Sequence, residues 1–534
     1  MIGRLKDLFS NLFGDSEKED VSIGIYGPPN AGKCLAEGEE IILADGRSKR
    51  IEDVFENISK TCPDAIDVSN EPEEVWLECA EADIEVPSLN EDLEIEPRKI
   101  THVFRQNYSG KMYEVETRLG KKVTVSPEHP FIVVTDEGLR AVRAKNLDEN
   151  TPVAHAQKLQ TVQSSFELKS NSVLETTVNG NLKMKSKYHD PKSTSPIEIN
   201  PRNARFIAMF VAEGQHTERY VSFTNTSERL LEEFGRTAEE RGLDPIRYDN
   251  GGSSTIRVNN RSFVEHLKQL GLEPGVSRQK SVPEPVIAAE DDIVREFLQV
   301  MFDCEGCVEG SDSDERGRYI TASSASRQLI TDIQVMLLRF GIVGKIREKK
   351  EDGKTYYEFS IGRSSQHRKF KQEIGFGNPE KAEKLDKLCE AGSSASIHTL
   401  PLMDKLEGMR EEIGATQKEF YLDNKHVARM KRKNSISIDR IEKMADELPE
   451  NESTELVHNL ANSEVVWDEV RNIEEIDYDG HIYDLTVEKN HNFMIKDGLI
   501  VHNSTLANEI SKDLTGEEMS NVSEVPHETR AVEK

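Results

Sequence analysis

The feature that most constrains this chain is a phosphate-binding loop whose two halves stand far apart. Residues 27–33 read GPPNAGK and fit the pattern G-x-x-x-x-G-K-[S/T], but the next residue is Cys34, where the pattern needs a hydroxyl for magnesium. The missing hydroxyl stands at Ser504, which opens the stretch STLANEI. Joining Lys33 to Ser504 gives VSIGIYGPPNAGKSTLANEI, a complete loop between a strand and a helix. Because one junction repairs the motif, residues 34–503 are predicted to be an insertion.

The joined loop predicts a nucleotide site. Its backbone N–H groups would cradle the phosphates, Lys33 would reach the outer phosphates and Ser504 would hold Mg²⁺. The residues assigned to this site are Gly27, Asn30, Gly32, Lys33 and Ser504. We expect nucleotide binding only after the two halves are joined, because Lys33 and Ser504 cannot share one phosphate cradle across the insertion.

Both ends of the predicted insertion carry reactive side chains. Cys34 has a thiol, and a thiolate is a strong nucleophile towards a neighbouring carbonyl. At the other end, His502 and Asn503 precede Ser504. An asparagine amide can attack its own main-chain carbonyl, which would cut the chain after Asn503, and the Ser504 hydroxyl can accept an acyl group. The two ends together predict chemistry at both junctions.

With these ends, residues 34–503 resemble an intein, a self-splicing insertion, and the flanks resemble an archaeal Era-like GTPase. Four blocks match in order: CLAEGEEIILADG, VTVSPEHPFIVV, IYDLTVEKNHNFMI and LIVHN. The family's T-x-x-H stands here as Ser126 to His129, a change that keeps the hydroxyl and loses a methyl group. The resemblance implies an all-β, horseshoe-like Hedgehog/intein (HINT) domain formed by both ends of the insertion.

The resemblance also implies roles at the first junction. Cys34 is expected to attack the Lys33 carbonyl and form a thioester. His129 is expected to protonate the departing nitrogen, and Ser126 to orient the peptide bond. A histidine beside a proline is more commonly a turn residue, so the interpretation of His129 depends on the other motifs.

At the second junction, Ser504 is expected to take over the acyl group as a branched ester with help from Asp484. Asn503 would then cyclise, assisted by His502 and His491. Taken alone, His491 would be interpreted as a surface histidine. Splicing of this kind needs no cofactor.

The middle of the insertion contains an internal repeat. FIAMFVAEG (Phe206–Gly214) and LQVMFDCEG (Leu298–Gly306) are both apolar helices that end in an acid and a glycine. They resemble the paired motifs of a two-repeat LAGLIDADG (dodecapeptide, DOD-type) homing endonuclease, an α+β fold. The resemblance implies that Glu213 and Glu305 bind Mg²⁺ and that Lys280, in RQKSVPEPV, is a cleavage-site cation. The implied substrate is double-stranded DNA, the host gene without the insertion.

Two other interpretations of the repeat stay open. The helices could be buried amphipathic helices with capping acids, or the fold could be a nuclease that has lost activity. Val300 stands where the second helix usually has glycine, whereas Ala208 and Ala212 keep the first helix narrow. The segment Thr416–Leu448 predicts two or three short helices, and its basic cluster KHVARMKRK resembles a DNA-binding helix-turn-helix. A solvated helix face is the alternative.

The composition of the chain predicts the kind of host and the cellular compartment. The formal charge is −29, from 98 acidic and 69 basic residues, which favours a halophilic host because salt screens such repulsion. We found no signal peptide and no apolar run of about 18 residues, so we expect a cytoplasmic monomer without a transmembrane segment. The six cysteines form no disulfide framework. Cys304 and Cys307 have no second ligand pair at zinc spacing.

These shifts in composition and motif divide the chain into seven predicted segments. They are the host residues 1–33, the splicing segment 34–158, the linker 159–196, the endonuclease 197–395, the helix-turn-helix segment 396–460, the splicing segment 461–503 and the host residues 504–534. The host end resembles a switch region with Thr529 as its magnesium-sensing threonine, but no later D-x-x-G or N-K-x-D motif follows, so we expect a host fragment. The competing interpretation is a nucleotide-binding protein with a permanent DNA-binding insertion.

Overall fold

The computed structural model describes residues 33–61, 74–79, 82–90, 92–136, 138–162, 197–272, 277–310, 318–391, 399–422, 425–451, 453–496 and 498–502. All of them belong to one compact unit, Gly32–Asn503. The predicted nucleotide residues Gly27, Asn30, Gly32 and Ser504 lie outside the described residues, and so does Asn503.

The N-terminal part of the unit is mostly strand, as predicted. It contains β1 (Leu35–Ala36), β2 (Glu40–Ile42), β3 (Ser48–Arg50), helix α1 (Ile51–Thr61), β4 (Glu74–Glu78), β5 (Glu85–Leu89), β6 (Ile95–Thr117), β7 (Lys122–Val125), β8 (Pro130–Thr135), β9 (Gly138–Arg143) and β10 (Pro152–Ala156). The sequence predicts poor periodicity and partly loop structure for the acidic stretch from about Asp53 to Leu93, and helix α1 corrects this prediction at the start of the stretch. The helix buries Ile51, Val54, Phe55 and Ile58, the spacing of one helical face, within an acidic stretch.

The middle of the unit repeats one topology twice. The first copy contains α2 (Pro201–Glu213), β11 (Gly214–His216), β12 (Val221–Asn225), α3 (Glu228–Glu240), β13 (Pro245–Asp249), β14 (Ser254–Val258) and α4 (Arg261–Gln269). After α5 (Glu284–Ile287), the second copy contains α6 (Asp291–Glu305), β15 (Gly306–Glu309), β16 (Tyr319–Ser324), α7 (Arg327–Leu338), β17 (Lys345–Glu351), β18 (Lys354–Ile361) and α8 (Ser364–Glu373). The two sheets have the matching orders β11-β12-β14-β13 and β15-β16-β18-β17.

Helices α2 and α6 pack side by side at the centre of these copies. Ala208 and Ala212 are buried in α2, and Val300 is fully buried in α6. The bulkier Val300 is therefore accommodated within the packed helices. The shared core of the two copies also takes in Phe206, Phe302 and the sheet residues beneath them.

Short helices follow the second copy. They are α9 (Pro379–Ala391), then, beyond β19 (Thr399–Leu400), α10 (Met403–Glu412), α11 (Gln417–Tyr421) and α12 (Val427–Lys433), and, beyond β20 (Ile436–Ser437), α13 (Ile438–Glu447) and α14 (Glu455–Asn462). The segment Thr416–Leu448 thus holds three helices, as predicted, and Thr416 opens α11 with a capping box. Their apolar side chains join one cluster with Leu338 of α7 and Trp467.

The chain then returns to its first sheet through β21 (Val465–Val487), β22 (Asn492–Met494) and β23 (Ile500–His502). The sheet order is β22-β23-β8-β10-β21-β1-β7-β6-β4, with β5 on β6 and β9 on β8. Strands β6 and β21 pair from Thr117–Val470 to Ile100–Val487, and two bulges bend the ribbon. Leu35 of β1 pairs with both Val125 and Tyr483. Both ends of the insertion therefore share one sheet.

Within the described ranges, no helix is long and apolar enough to cross a membrane.

Candidate functional site

Cys34 lies at the centre of the first sheet, beside the two strands that flank β1. It precedes β1, Ser126 follows β7, and Asp484 lies in β21. Because β1 pairs antiparallel with both neighbours, Cys34 is placed between the other two residues. All three are buried, with exposures of 0%, 0% and 1%. The fold therefore brings together residues that three separate sequence blocks predicted.

The peptide bond between Lys33 and Cys34 is held at both polar atoms. The Cys34 N–H donates to Ser126 Oγ at 2.8 Å, and the Ser126 N–H donates to the Cys34 carbonyl at 2.9 Å. His129 Nδ1 lies 3.0 Å from the Lys33 carbonyl oxygen. A carbonyl oxygen only accepts, so Nδ1 carries the proton. The His129 contact differs from the expected one, since the imidazole meets the carbonyl oxygen and not the departing nitrogen, whereas the Ser126 hydroxyl meets that nitrogen.

Burial controls the charge of His129. The ring is fully buried, and burial lowers the pKa of His129 to about 3. The hydrogen bond to the Lys33 backbone opposes this shift, whereas the charges of His502 and Lys33 add to it. His502, at the other end of the insertion, therefore lies close to His129. Nε2 of His129 has no hydrogen-bond partner among the residues that the structure describes. The ring is a neutral donor at physiological pH.

Burial shifts the pKa of Asp484 in the direction opposite to that of His129. Its Oδ1 accepts from the Leu485 N–H at 2.8 Å, and its buried Oδ2 has no hydrogen-bond partner in the described part of the chain. Burial raises the pKa of Asp484 well above its ordinary value, opposed by that N–H and by the charge of Lys33. A protonated carboxyl beside Cys34 can act as a proton donor.

A short hairpin carries the C-terminal histidines. Asn492 of β22 pairs with His502 of β23, and His491 comes directly before β22. The Asn492 amide bonds to both the N–H and the carbonyl of Leu89, each at 2.7 Å. His491 has a φ of 53°, a left-handed conformation that is uncommon for histidine. The hairpin is thus fixed against β5, with His502 at its end next to the predicted cleavage point.

The second site lies where α2 and α6 end. Glu213 and Glu305 are their last residues, and Gly214 and Gly306 follow. Each glycine N–H bonds to the carbonyl four residues earlier, and an added Cβ would approach that carbonyl oxygen to 2.4 Å or 2.7 Å. Only glycine fits such positions, which explains the acid-glycine ending of each motif.

The two carboxyl groups influence each other. Burial raises the pKa of Glu305 to about 7; Lys280 opposes this, the charge of Glu213 adds to it and Lys381 opposes it. Burial also raises the pKa of Glu213, opposed by a hydrogen bond from Asn225 and then by the same two lysines. Two acids and two lysines therefore form one compact cluster at the paired helix ends.

Each of the two lysines bonds to the C-terminal end of one of the paired helices. Lys280 Nζ donates to the Ala212 carbonyl at the end of α2. Lys381 Nζ, from α9, donates to the carbonyls of Asp303 and Gly306 at the end of α6, both at 2.6 Å. Lys280 was predicted from its motif, whereas Lys381 lies in no repeat and was not predicted from the sequence. Nor was Tyr108, whose pKa is raised by burial and then by the charge of nearby Cys34.

The donors at the second site fit magnesium and do not fit a soft metal. Glu213 and Glu305 offer hard oxygen ligands, and Mg²⁺ takes one or two carboxylates while keeping waters for phosphate oxygens. Burial raises the pKa of Cys304 strongly, so its thiol stays protonated. In the ranges that the structure describes, no group of three or more His, Cys, Asp or Glu could hold a metal ion. A cation here would depend on the two glutamates.

The basic cluster lies on α12. Arg429, Arg432 and Lys433 are exposed, whereas Lys431 pairs with Glu407 of α10 at 2.8 Å. Exposed cations on a short second helix are compatible with a DNA backbone contact and equally with a solvated face. The prediction of a helix-turn-helix function stays a prediction.

A family model described as the intein splicing domain matches residues 41–503, which is most of the chain. The chain belongs to this family of protein-splicing elements.

The chain is also similar to individual proteins and solved structures. Elongation factor 2 of Methanopyrus kandleri is 28% identical over 585 residues, covering 93% of this chain and 44% of that protein. The chain spans half or less of the length of the curated relatives that it matches. The PabCDC21-1 intein structure is 25% identical, covering 24% of this chain and 74% of that chain, with a TM-score of 0.22. The structure of I-DmoI in complex with DNA and Mn is 12% identical, covering 33% and 97%, with a TM-score of 0.26.

Proposed function

We propose that residues 34–503 excise themselves and that Lys33 becomes joined to Ser504. The contacts at the first junction carry this proposal. A hydroxyl, Ser126 Oγ, accepts from the nitrogen that must leave, and an imidazole, that of His129, donates to the oxygen that must gain charge. Membership of the intein splicing domain family supports the same conclusion.

In the first step, the Cys34 sulfur attacks the Lys33 carbonyl carbon and the peptide C–N bond breaks. The thiol proton ends on the departing nitrogen, so a thioester and an amine remain. The Nδ1–H of His129 stabilises the negative charge that develops on the carbonyl oxygen, and Ser126 holds the departing nitrogen. Loss of one donor of this kind costs about 10²- to 10³-fold in rate.

In the second step, the Ser504 hydroxyl attacks the thioester, and Cys34 leaves and regains a proton. Asp484 is buried beside Cys34, and burial raises its pKa, which favours the protonated form that can supply that proton. The product is a branched ester in which the host segments are already joined through the Ser504 oxygen.

In the last step, the Asn503 side-chain nitrogen attacks its own carbonyl carbon, and the Asn503–Ser504 peptide bond breaks. His502 and His491 assist transfer of the amide proton to the departing amine. A shift of the acyl group from oxygen to nitrogen then leaves a normal peptide between Lys33 and Ser504. The joined residues 27–33 and Ser504 would form a GTP-binding phosphate loop with Mg²⁺.

Intact mass of the purified chain, expressed in high salt, tests splicing. The expected products are the excised residues 34–503 and the joined host segments. Asn503→Ala should stop release at the second junction and leave a branched or N-terminally cleaved species. One uncut mass, unchanged by Asn503→Ala and by Cys34→Ala, would instead support a permanent insertion in a nucleotide-binding protein.

We also propose that the middle of the insertion cleaves double-stranded DNA. The observation that favours this is the cluster of Glu213, Glu305, Lys280 and Lys381 at the ends of two packed helices. Bound Mg²⁺ would supply charge for stabilising a leaving oxygen. The two glutamates would hold the cation, and the two lysines would lie beside the phosphates.

A plasmid carrying the uninterrupted host gene tests the nuclease. We expect a double-strand cut near the codons for Lys33 and Ser504 when magnesium is present. The same plasmid with the insertion in place should stay intact, because the recognition sequence is then divided. Cleavage of both plasmids would contradict a homing function. Cleavage of neither would support a nuclease fold that has lost its activity.

A further inference from the structure

A buried carboxylate on α7 contacts both the nuclease part of the fold and the C-terminal splicing segment. Asp332 is 3% exposed. Its Oδ2 accepts from the Val282 N–H at 3.0 Å, and its Oδ1 accepts from Gln328 Nε2 at 2.9 Å. Lys496 Nζ lies 3.6 Å from the same Oδ1. Asp332 belongs to the second copy of the nuclease fold, whereas Lys496 belongs to the splicing segment.

Lys496 lies in the turn between β22 and β23. Its side chain is 11% exposed, and its Nζ lies 2.6 Å from Glu40 Oε2. The Lys496 N–H also donates to the Glu40 carbonyl at 2.7 Å, and Ile495 forms a bridge with Ile41 of β2. One lysine therefore ties the turn of the hairpin to β2 on one side and to α7 on the other.

The same turn packs closely against the end of α7. Gly498 has a φ of 87°, and an added Cβ there would lie 3.1 Å from the Leu338 side chain and 2.9 Å from His155. The Gly498 carbonyl accepts from the Ala156 N–H at 2.8 Å, and the Leu338 carbonyl accepts from the Leu159 N–H at 3.0 Å. The hairpin that ends in His502 is thus seated on a helix of the nuclease.

On the nuclease side, α7 holds the segment that carries Lys280. Val282, which bonds to Asp332, is two residues beyond Lys280. Ser326, the N-cap of α7, donates its hydroxyl to the Lys280 carbonyl at 2.5 Å. Two residues of α7 therefore fix the backbone on both sides of Ser281, and Lys280 Nζ reaches the end of α2.

We propose that Asp332 is a positioning residue shared by the two sites. Through Lys496 it fixes the hairpin whose end presents His502 for cleavage after Asn503. Through Val282 it fixes Lys280 beside the paired glutamates, a part that rests on the proposed nuclease function. The N-terminal splicing step does not depend on it, because the contacts of Ser126 and His129 come from other strands.

Glu284 provides a matched control. It also joins the two parts of the fold, with Lys49 Nζ at 2.6 Å and Arg47 at 3.4 Å. Its side chain is 45% exposed, so water screens these pairs and their contribution is small. Glu284→Gln removes a charge between the same two parts without touching the buried contacts of Asp332.

The experiment compares Asp332→Asn, Lys496→Met, Lys496→Arg and Glu284→Gln in the full chain. Release of the segment after Asn503 reports the C-terminal step, and thiol-induced cleavage before Cys34 reports the N-terminal step. Asp332→Asn and Lys496→Met should slow the C-terminal step about ten-fold or more, since small displacements of a reacting group are costly. Lys496→Arg, which keeps the charge, should restore most of the rate, and Glu284→Gln should change neither step.

Lysine labelling with sulfo-N-hydroxysuccinimide acetate measures the accessibility of Lys280 and Lys381 without requiring DNA cleavage. In Asp332→Asn, acetylation of Lys280 should rise several-fold while that of Lys381 stays constant. In Lys496→Met, both should stay at the wild-type level. This arm gives an answer even if the wild-type chain neither splices nor cuts, which would instead defeat the proposed function.

Two results would overturn the proposal. In the first, Asp332→Asn behaves like Glu284→Gln in both splicing steps and in Lys280 labelling. In the second, Asp332→Asn slows the two splicing steps equally and exposes Lys280 and Lys381 alike, which would show a general loss of structure.

Discussion

His129 Nδ1 lies 3.0 Å from the carbonyl oxygen of Lys33, the atom on which negative charge must develop when Cys34 attacks. Ser126 Oγ meanwhile accepts from the Cys34 N–H at 2.8 Å. The peptide bond is therefore held at both polar atoms before reaction. In this resting arrangement His129 donates a hydrogen bond to the carbonyl oxygen, and Ser126 accepts one from the leaving nitrogen.

Removing the imidazole should slow the first step most. We expect His129→Ala to reduce thiol-induced cleavage before Cys34 by about 10²- to 10³-fold, because the donor that stabilises charge on the Lys33 carbonyl oxygen is lost. Ser126→Ala should have a smaller effect, and Ser126→Thr, which keeps the hydroxyl, should stay close to wild type. The rates are followed by mass spectrometry after adding dithiothreitol. Unchanged cleavage in His129→Ala would contradict the role of the Lys33 contact.

The buried histidine should make the folded chain sensitive to acid. Burial lowers the pKa of His129 from 6.5 to about 3, so the unfolded state binds this proton at a higher pH than the folded state. Its contribution to stability is complete above about pH 6.5 and is lost as the pH falls towards about 3. We expect His129→Asn to make the free energy of unfolding less dependent on pH in this range, by up to about 1.4 kcal/mol per pH unit. Denaturant unfolding of both chains at several pH values measures the difference.

Asp484→Asn should separate the first two steps of splicing. Asparagine keeps an oxygen to accept from Leu485 and loses the group that can supply a proton to the departing sulfur. We expect thiol-induced cleavage before Cys34 to persist while the branched ester no longer accumulates. Asp484→Asn and wild type are compared in an Asn503→Ala background, where the branched species is trapped. Equal amounts of branched species in the two would refute this role.

The two glutamates should each serve one DNA strand. We expect Glu213→Gln and Glu305→Gln to nick opposite strands, and the double variant to leave both strands intact. Removing magnesium with EDTA should stop cleavage and leave splicing unchanged, because no splicing step uses a metal. Strand-specific end labels measure the nicks, and Glu284→Gln serves as the control. Two variants that nick the same strand would argue against one acid for each strand.

Salt should stabilise the chain. The formal charge of −29 produces like-charge repulsion that ions screen. We expect the thermal midpoint to rise steadily as KCl is increased from about 0.1 M towards molar concentration, with DNA affinity falling over the same range. Differential scanning calorimetry and a DNA-binding titration give the two trends. A midpoint independent of KCl would remove the argument for a saline host.

The sequence predicted which residues gather around Cys34, and the described ones do so. Ser126 and His129 were assigned from one block and Asp484 from another, and the sheet places Ser126 and Asp484 on either side of the thiol. The contacts themselves were not predictable, since which atom of the Lys33–Cys34 bond meets His129 depends on the distances between three strands. The roles of Asn503 and Ser504 stay predictions, because those residues lie outside the described part of the chain.

Other features escaped the sequence analysis for physical reasons. Lys381 lies on α9, outside both repeats, and only packing brings it to the end of α6. Helix α1 was missed because its acidic side chains hid the buried face of Ile51, Val54 and Phe55. The shared role proposed for Asp332 depends on a contact with Lys496 that no local pattern can show.

The long pairing of β6 with β21 also sets a schedule for the reaction. Thr117 and Val470 are partners, so the pocket around Cys34 cannot close until the ribosome has made almost the whole insertion. At ordinary translation speeds the interval between these two residues lasts on the order of twenty to seventy seconds. An incomplete chain thus holds its thiol without one of the two strands that flank β1 in the finished sheet, and without the Asp484 that the acyl transfer to Ser504 uses.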